Sequence, residues 1–172
     1  SSMAKGESIG DTSRVVSGYS DVLVVRHPAE GSVAEFAAAS VTPVINAGDG
    51  AGEHPSQALL DIYTMEKELG DRGLPVDGCT MAIIGDLKFG RTVHSLMKLL
   101  ALYEGVTFRL FAPPSLELPD AVARFVTERG HHVEVCRDVV EALRGSQVVY
   151  ATRVQRERMT KKCRRPSRAS TC

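Results

Sequence analysis

Three arginines stand where an alternating strand and helix chain would place its chemistry. Arg26 lies in Val-Val-Arg-His-Pro, Arg91 in Gly85-Asp86-Leu87-Lys88-Phe89-Gly90-Arg91-Thr92, and Arg153 in Thr152-Arg153-Val154-Gln155. Each follows an apolar run with strand character, and ligands of open α/β sheets sit beyond the carboxyl ends of the strands. A guanidinium is a planar fork of donors that matches carboxylate and phosphate oxygens. One such arginine is an ordinary surface residue. Three at topologically matched positions point to a site for a small molecule carrying several negative charges.

A second group accompanies them. His54-Pro55-Ser56-Gln57 opens a helical pattern, so His54 and Gln57 share a face beside backbone amides that have no helical partner. An imidazole and a carboxamide so placed can grip and polarise a carbonyl oxygen. A bland capping histidine is the competing reading, and the glycine-rich lead-in together with Gln57 weighs against it. His27, His94, His131 and His132 show no metal-ligand spacing and read as structural or exposed, so no metal or other cofactor is expected. The stretch Gly85 to Thr92 also has the spacing of a phosphate-binding loop, G-x-x-x-x-G-[KR]-T, with arginine in place of the required lysine. A nucleotide hydrolase would need that lysine and an acid after another strand to hold magnesium, and the last strand ends Tyr150-Ala151-Thr152 without one. Thr92 at a helix amino terminus can still help cradle an anion. Ser1, Ser2 and Lys5, in a polar loop, read as surface on composition alone.

The elements that must position these groups are legible in the pattern. Strands are expected at residues 21–25, 42–46, 80–85, 106–112, 132–136 and 147–151, and helices at about 32–39, 55–69, 91–104, 119–129 and 138–144. Ala58, Ile62, Met65 and Leu69 form one apolar stripe, and Val122, Phe125 and Val126 another. Pro55 and Pro119 suit first helical turns, while Gly70, Gly105, Gly130 and Gly145 are each expected to end a helix in the left-handed conformation. Short strands alternating with helices predict an α/β fold, two doubly wound units with mainly parallel sheets, the first incomplete. The glycine-rich run from Gly48 to Glu53 reads as a hinge between them.

Composition sets the outer bounds. The chain has 172 residues, 43% of them hydrophobic and 24% charged, which suits an ordinary globular protein with a real core. Its apolar runs are broken by charge and fall short of the roughly 20 residues that cross a bilayer, so no membrane partner is expected. The 21 basic and 21 acidic residues balance, yet residues 156 to 172 carry seven basic residues against one acid, a net +6 that leaves −6 for the rest. Nucleic-acid binding by the folded body is therefore not expected, and the basic tail reads as a disordered end. The four cysteines, Cys79, Cys136, Cys163 and Cys172, stand far apart with no secretory leader ahead of them, which predicts a reducing, cytoplasmic setting. A start at Ser1 without methionine reads as a fragment or processed product.

Taken together the segments resemble the aspartate transcarbamoylase family. The resemblance is carried by Lys5-Gly6-Glu7-Ser8, Val25-Arg26-His27-Pro28, Asn46-Ala47-Gly48-Asp49-Gly50, His54-Pro55-Ser56-Gln57-Ala58-Leu59-Leu60-Asp61, Gly85 to Ser95, and Thr152 to Arg158, and runs from Ser1 to about Met159. The His-Pro-x-Gln segment is shared with the ornithine-using relatives, whereas Asp-Leu-Lys-x-Gly-Arg-Thr and Thr-Arg-x-Gln separate the aspartate enzymes. The resemblance implies carbamoyl transfer from carbamoyl phosphate to L-aspartate in pyrimidine biosynthesis. It implies that Arg26 meets the phosphate, His54 the carbonyl oxygen and Gln57 the carbamoyl amide, that Arg91, Arg153 and Gln155 clasp the aspartate carboxylates, and that Thr92 lines the pocket. It further implies a homotrimer in which Ser1 and Lys5 enter a neighbour's site, with Ser2 the alternative if the alignment slips by one. On that basis residues 1–49 are the end of a carbamoyl-phosphate-binding domain, 50–155 an aspartate-binding domain and 156–172 the tail. The family's Ser-Thr-Arg-Thr phosphate segment and its His-Pro-Leu-Pro segment are absent from this sequence, so the isolated chain is expected to be inactive. A non-catalytic interaction or regulatory remnant and, more distantly, a phosphate-loop nucleotide hydrolase are the alternatives.

Overall fold

The computed structural model describes residues 6–50 and 52–153. The chain runs α1 (Ile9–Ser17), β1 (Leu23–His27), α2 (Ser32–Ala39), β2 (Val44–Asp49), α3 (Pro55–Gly70), β3 (Thr80–Ile84), α4 (Arg91–Leu100), β4 (Thr107–Phe111), α5 (Asp120–Thr127), β5 (His132–Val135), α6 (Val139–Leu143) and β6 (Val148–Ala151), with a 3₁₀ turn at Pro114–Leu116. Among the described residues all strand pairings are parallel. β1 and β2 form a two-stranded sheet, and the larger sheet has the order β5-β4-β3-β6.

That order has a consequence for function. From β3 the chain winds outward through β4 to β5, then returns through α6 to lay β6 on the other side of β3. The winding direction reverses between β3 and β6, and the crevice at the carboxyl ends of such a pair is where open α/β sheets take ligands. Met81 and Ile83 of β3 face a core built with Ala58, Ile62, Met65 and Leu69 of α3, Val93, Leu96, Met97 and Leu100 of α4, and Val122 and Val126 of α5. Ala82, between them in sequence, turns to the opposite face and meets Cys136 and Ala142. β3 is thus covered on both faces, as its unbroken apolar run requires.

The first unit has a much thinner core. Leu23 and Val33 are buried with Ser13, Ser17 and Ser32, while Val24 and Ile45 remain exposed. Here polar links do part of the work of packing: Ser13 Oγ donates to the Phe36 carbonyl at 2.6 Å, and the Val41 amide donates to Ser17 Oγ at 3.2 Å.

Several boundaries differ from the sequence expectation. β1 and β2 lie about two residues later than expected, because the register pairs Leu23 with Val44 and continues to His27 with Asp49. Arg26 is therefore inside the end of β1 rather than after it. α3 continues through Gly70, and the left-handed glycine is Gly73, at φ +69°; Gly105, Gly130 and Gly145 do take positive φ. α4 stops at Leu100, short of residue 104, and Pro119 is the residue before α5 rather than its first turn. α1 was not expected from apolar periodicity. Its start is instead fixed by Ser8, whose hydroxyl accepts from the Asp11 amide at 3.0 Å and donates to the Asp11 carboxylate at 2.7 Å.

Candidate functional site

The loops after β3 and β6 are stitched together at the reversal point. The Asp86 amide donates to Thr152 Oγ1 at 2.7 Å, and the Thr152 amide donates to the Ile84 carbonyl at 2.8 Å. Gly85 sits at φ +118° with the Thr152 carbonyl against the position a side chain would fill, so only glycine lets the two loops approach this closely. Arg91, first residue of α4, and exposed Arg153, two residues past β6, consequently leave the sheet from neighbouring strand ends.

Arg91 turns from there toward the first unit. Its Nη1 donates to the Gly50 carbonyl at 2.6 Å, and its guanidinium lies 3.1 Å from where a side chain on Gly48 would begin. The end of β2 and the start of α4 thus meet through one cation. His54, immediately before α3, completes the junction: its amide donates to Ser95 Oγ at 2.9 Å, and its Nδ1 lies 3.3 Å from Ser56 Oγ. Ser95 is buried and in turn bonds Glu53, whose other carboxylate oxygen holds Lys98. Burial raises the Glu53 pKa, but the Lys98 and Ser95 hydrogen bonds outweigh it and leave the carboxyl below its usual range.

Electrostatics tie the arginines to the imidazole. The His54 pKa is lowered, first by burial, then by the charges of Arg91 and Arg26, with Asp61 pulling the other way. An imidazole with two guanidinium neighbours stays neutral near pH 7 and keeps one N–H to donate to a carbonyl oxygen. Gln57, one turn along, donates from Nε2 to Asp61 Oδ1 at 3.0 Å. Tyr150 of β6 lies by Thr92 and Asp61; its phenol pKa is raised by burial foremost, and the Asp61 charge adds to this against the effect of Thr92.

Of the residues singled out in the sequence, Arg26 and Arg91 act on His54 by charge, Gln57 bonds Asp61, Thr92 lies by Tyr150, and Arg153 emerges just beyond β6. Ser1, Ser2, Lys5, Gln155 and the basic tail lie outside the described residues. The remaining histidines are structural or exposed: His27 Nδ1 accepts from Ala29, His94 Nε2 contacts the Leu87 carbonyl at 2.8 Å, and buried His131 Nδ1 accepts from Val106. Asp61, Tyr150, Glu53 and Ser95 were not foreseen as participants. The four-residue spacing of Gln57 and Asp61 on one helix was a usable signal, whereas the Glu53–Ser95 contact spans 42 residues and leaves no local trace.

The phosphate-loop alternative is overturned here. Such a loop points its amides at the phosphate, but in this one the amides of Gly85, Asp86, Leu87, Phe89 and Arg91 donate to Phe111, Thr152, Leu116, Asp86 and Phe89. No described helix is long and apolar enough to cross a membrane.

Comparison with known proteins places the chain among carbamoyltransferases. The family profile described as "Aspartate/ornithine carbamoyltransferase, carbamoyl-P binding domain" matches residues 1–67, and that described as "Aspartate/ornithine carbamoyltransferase, Asp/Orn binding domain" matches residues 77–170. The aspartate carbamoyltransferase catalytic subunit of Saccharophagus degradans is 55% identical over 162 residues, covering 94% of this chain and 48% of the relative. That of Dichelobacter nodosus is 54% identical, covering 92% and 46%. The crystal structure of aspartate transcarbamoylase from Trypanosoma cruzi in complex with carbamoyl phosphate superposes with a TM-score of 0.84 at 43% identity, covering 95% of this chain and 51% of that one. The same enzyme has been solved with aspartate and phosphate, and with N-(phosphonacetyl)-L-aspartic acid. The chain spans about half the length of the curated relatives it matches. With both domain profiles matched in order, the chain belongs to the aspartate/ornithine carbamoyltransferase family.

Proposed function

We propose that this chain carries the donor and acceptor subsites of an aspartate carbamoyltransferase, the enzyme that moves the carbamoyl group of carbamoyl phosphate to the amine of L-aspartate and releases phosphate. One observation carries the reading: the Arg91 guanidinium crosses from α4 to the Gly50 carbonyl while its charge and that of Arg26 both act on His54. Two cations acting on one neutral imidazole suit a phosphorylated donor beside a dicarboxylate acceptor.

The chemistry follows from that arrangement. Arg26 neutralises the departing phosphate. His54 donates to the carbonyl oxygen, which gains negative charge as the aspartate amine attacks the carbamoyl carbon. Gln57 binds the carbamoyl amide. Arg91, Arg153 and Gln155 hold the aspartate carboxylates, with Thr92 lining the pocket. Ser1 and Lys5 reach the site of a neighbouring subunit in a homotrimer. Residues 1–49 together with His54 and Gln57 serve the donor, the remainder of residues 50–155 serves the acceptor, and the approach of the two sides aligns the reactants without a covalent intermediate. The setting is cytoplasmic, in pyrimidine biosynthesis. By itself the 172-residue chain binds ligand without turning it over, since the resemblance puts the main phosphate segment outside its sequence.

Calorimetric titration of the chain with N-(phosphonacetyl)-L-aspartate, and separately with ATP and magnesium, tests the proposal. Heat from the bisubstrate compound and none from the nucleotide is the expected result. Nucleotide binding with no response to the phosphonate dicarboxylate would contradict it.

A further inference from the structure

The Gln57 carboxamide is held by a residue that has no part in the scheme above. Asp61 lies one turn further along α3 and accepts from Gln57 Nε2 at 3.0 Å. Its other oxygen, Oδ2, is buried on the side of the Tyr150 phenol. Its buried Oδ2 turns this carboxylate away from solvent, and its charge is felt by both His54 and Tyr150.

A carboxylate only accepts hydrogen bonds, whereas a glutamine amide has a donating end and an accepting end of nearly the same shape. Asp61 therefore decides which way round the Gln57 amide sits. With Nε2 engaged, Oε1 is the end left to accept from a ligand. Turning the amide over would press Oε1 against Asp61 Oδ1, two acceptors in contact with no proton between them, and that costs the penalty of an unpaired polar group.

We propose that Asp61 is a positioning residue: it fixes Gln57 with the carboxamide oxygen presented to the donor substrate, so that the site selects a phosphorylated donor bearing an amino group over one bearing a methyl group in the same place. The inference rests on the reading that Gln57 meets the carbamoyl amide. Carbamoyl phosphate and acetyl phosphate share a phosphate, a carbonyl and a similar outline, and differ in whether the third substituent can donate. A site built to accept from that substituent discriminates against the analogue that lacks it.

The test follows ¹⁵N-resolved NMR titrations of the chain with carbamoyl phosphate, acetyl phosphate and inorganic phosphate. Wild type is expected to prefer carbamoyl over acetyl phosphate. D61N presents either a carbonyl or an amino group to Gln57, so both amide orientations become available, and the preference is expected to shrink about fivefold, the worth of one hydrogen bond, with inorganic phosphate affinity unchanged. Y150F keeps the Gln57–Asp61 bond and is expected to keep the wild-type ratio. A ratio unchanged in D61N, or lowered equally by Y150F, overturns the positioning role alone. Equal binding of carbamoyl and acetyl phosphate by wild type overturns the assignment of Gln57 and this inference with it.

Discussion

Arg91 owes its place to residues that have no side chain to offer. Gly48, at φ +132°, leaves room for the guanidinium, and the Gly50 carbonyl receives it. The cation then bears on His54, whose imidazole is held below its usual pKa by burial first and by Arg91 and Arg26 next. An NMR titration of His54 is expected to show a midpoint below the ordinary value of 6.5, and R91A is expected to move it upward by removing a like charge. A midpoint in R91A equal to that of wild type would show that the two groups do not interact. The sign for stability follows from proton linkage. With the folded pKa depressed, the unfolded chain binds the extra proton, so stability is complete above pH 6.5 and falls as the pH drops from there toward the folded value. His94, also lowered mainly by burial, acts in the same direction.

Elements place these residues through close approaches that periodicity does not reveal. The crossing of the loops after β3 and β6 depends on Gly85, where a methyl group would meet the Thr152 carbonyl and the backbone lies in the left-handed region. Gly85→Ala is expected to destabilise the larger unit by about 1–3 kcal/mol or more, read as a lower denaturation midpoint. An unchanged midpoint would mean the two loops are not locked together. Much of this layer was open to sequence reading: the stripe Ala58, Ile62, Met65, Leu69 is buried as expected, and α3 begins at Pro55. What escaped did so for physical reasons. α1 buries Ser13 and Ser17 and leaves Val15 and Val16 exposed, so its signal was the cap Ser8 with Asp11 rather than an apolar stripe. α3 ran past Gly70 because a glycine is free to stay helical, and the turn was made at Gly73. Arg91, Arg153, His54 and Gln57 could be picked out because they follow strands or open helices. Asp61, Glu53 and Ser95 meet those residues or their neighbours through hydrogen bonds, and only Asp61 shares a helix with the side chain it bonds.

The whole molecule divides by depth of core. Residues from Ala58 to Val126 supply one continuous apolar cluster, while the first unit buries Leu23 and Val33 and relies on serine hydrogen bonds. Local stability follows apolar burial, so amides of α1, β1, α2 and β2 are expected to exchange with solvent orders of magnitude faster than those of β3, β4 and α4. Equal protection across both units would contradict this division. The larger unit is expected to keep its fold when the smaller one opens, and the site, drawn from both, forms fully only when both are ordered. The most direct test of that convergence is a map of ¹⁵N chemical-shift changes on adding N-(phosphonacetyl)-L-aspartate to the labelled chain. The largest changes are expected around Arg26, His54, Gln57, Arg91, Thr92 and Arg153 together. Changes confined to one unit, or centred away from these residues, would contradict a shared site.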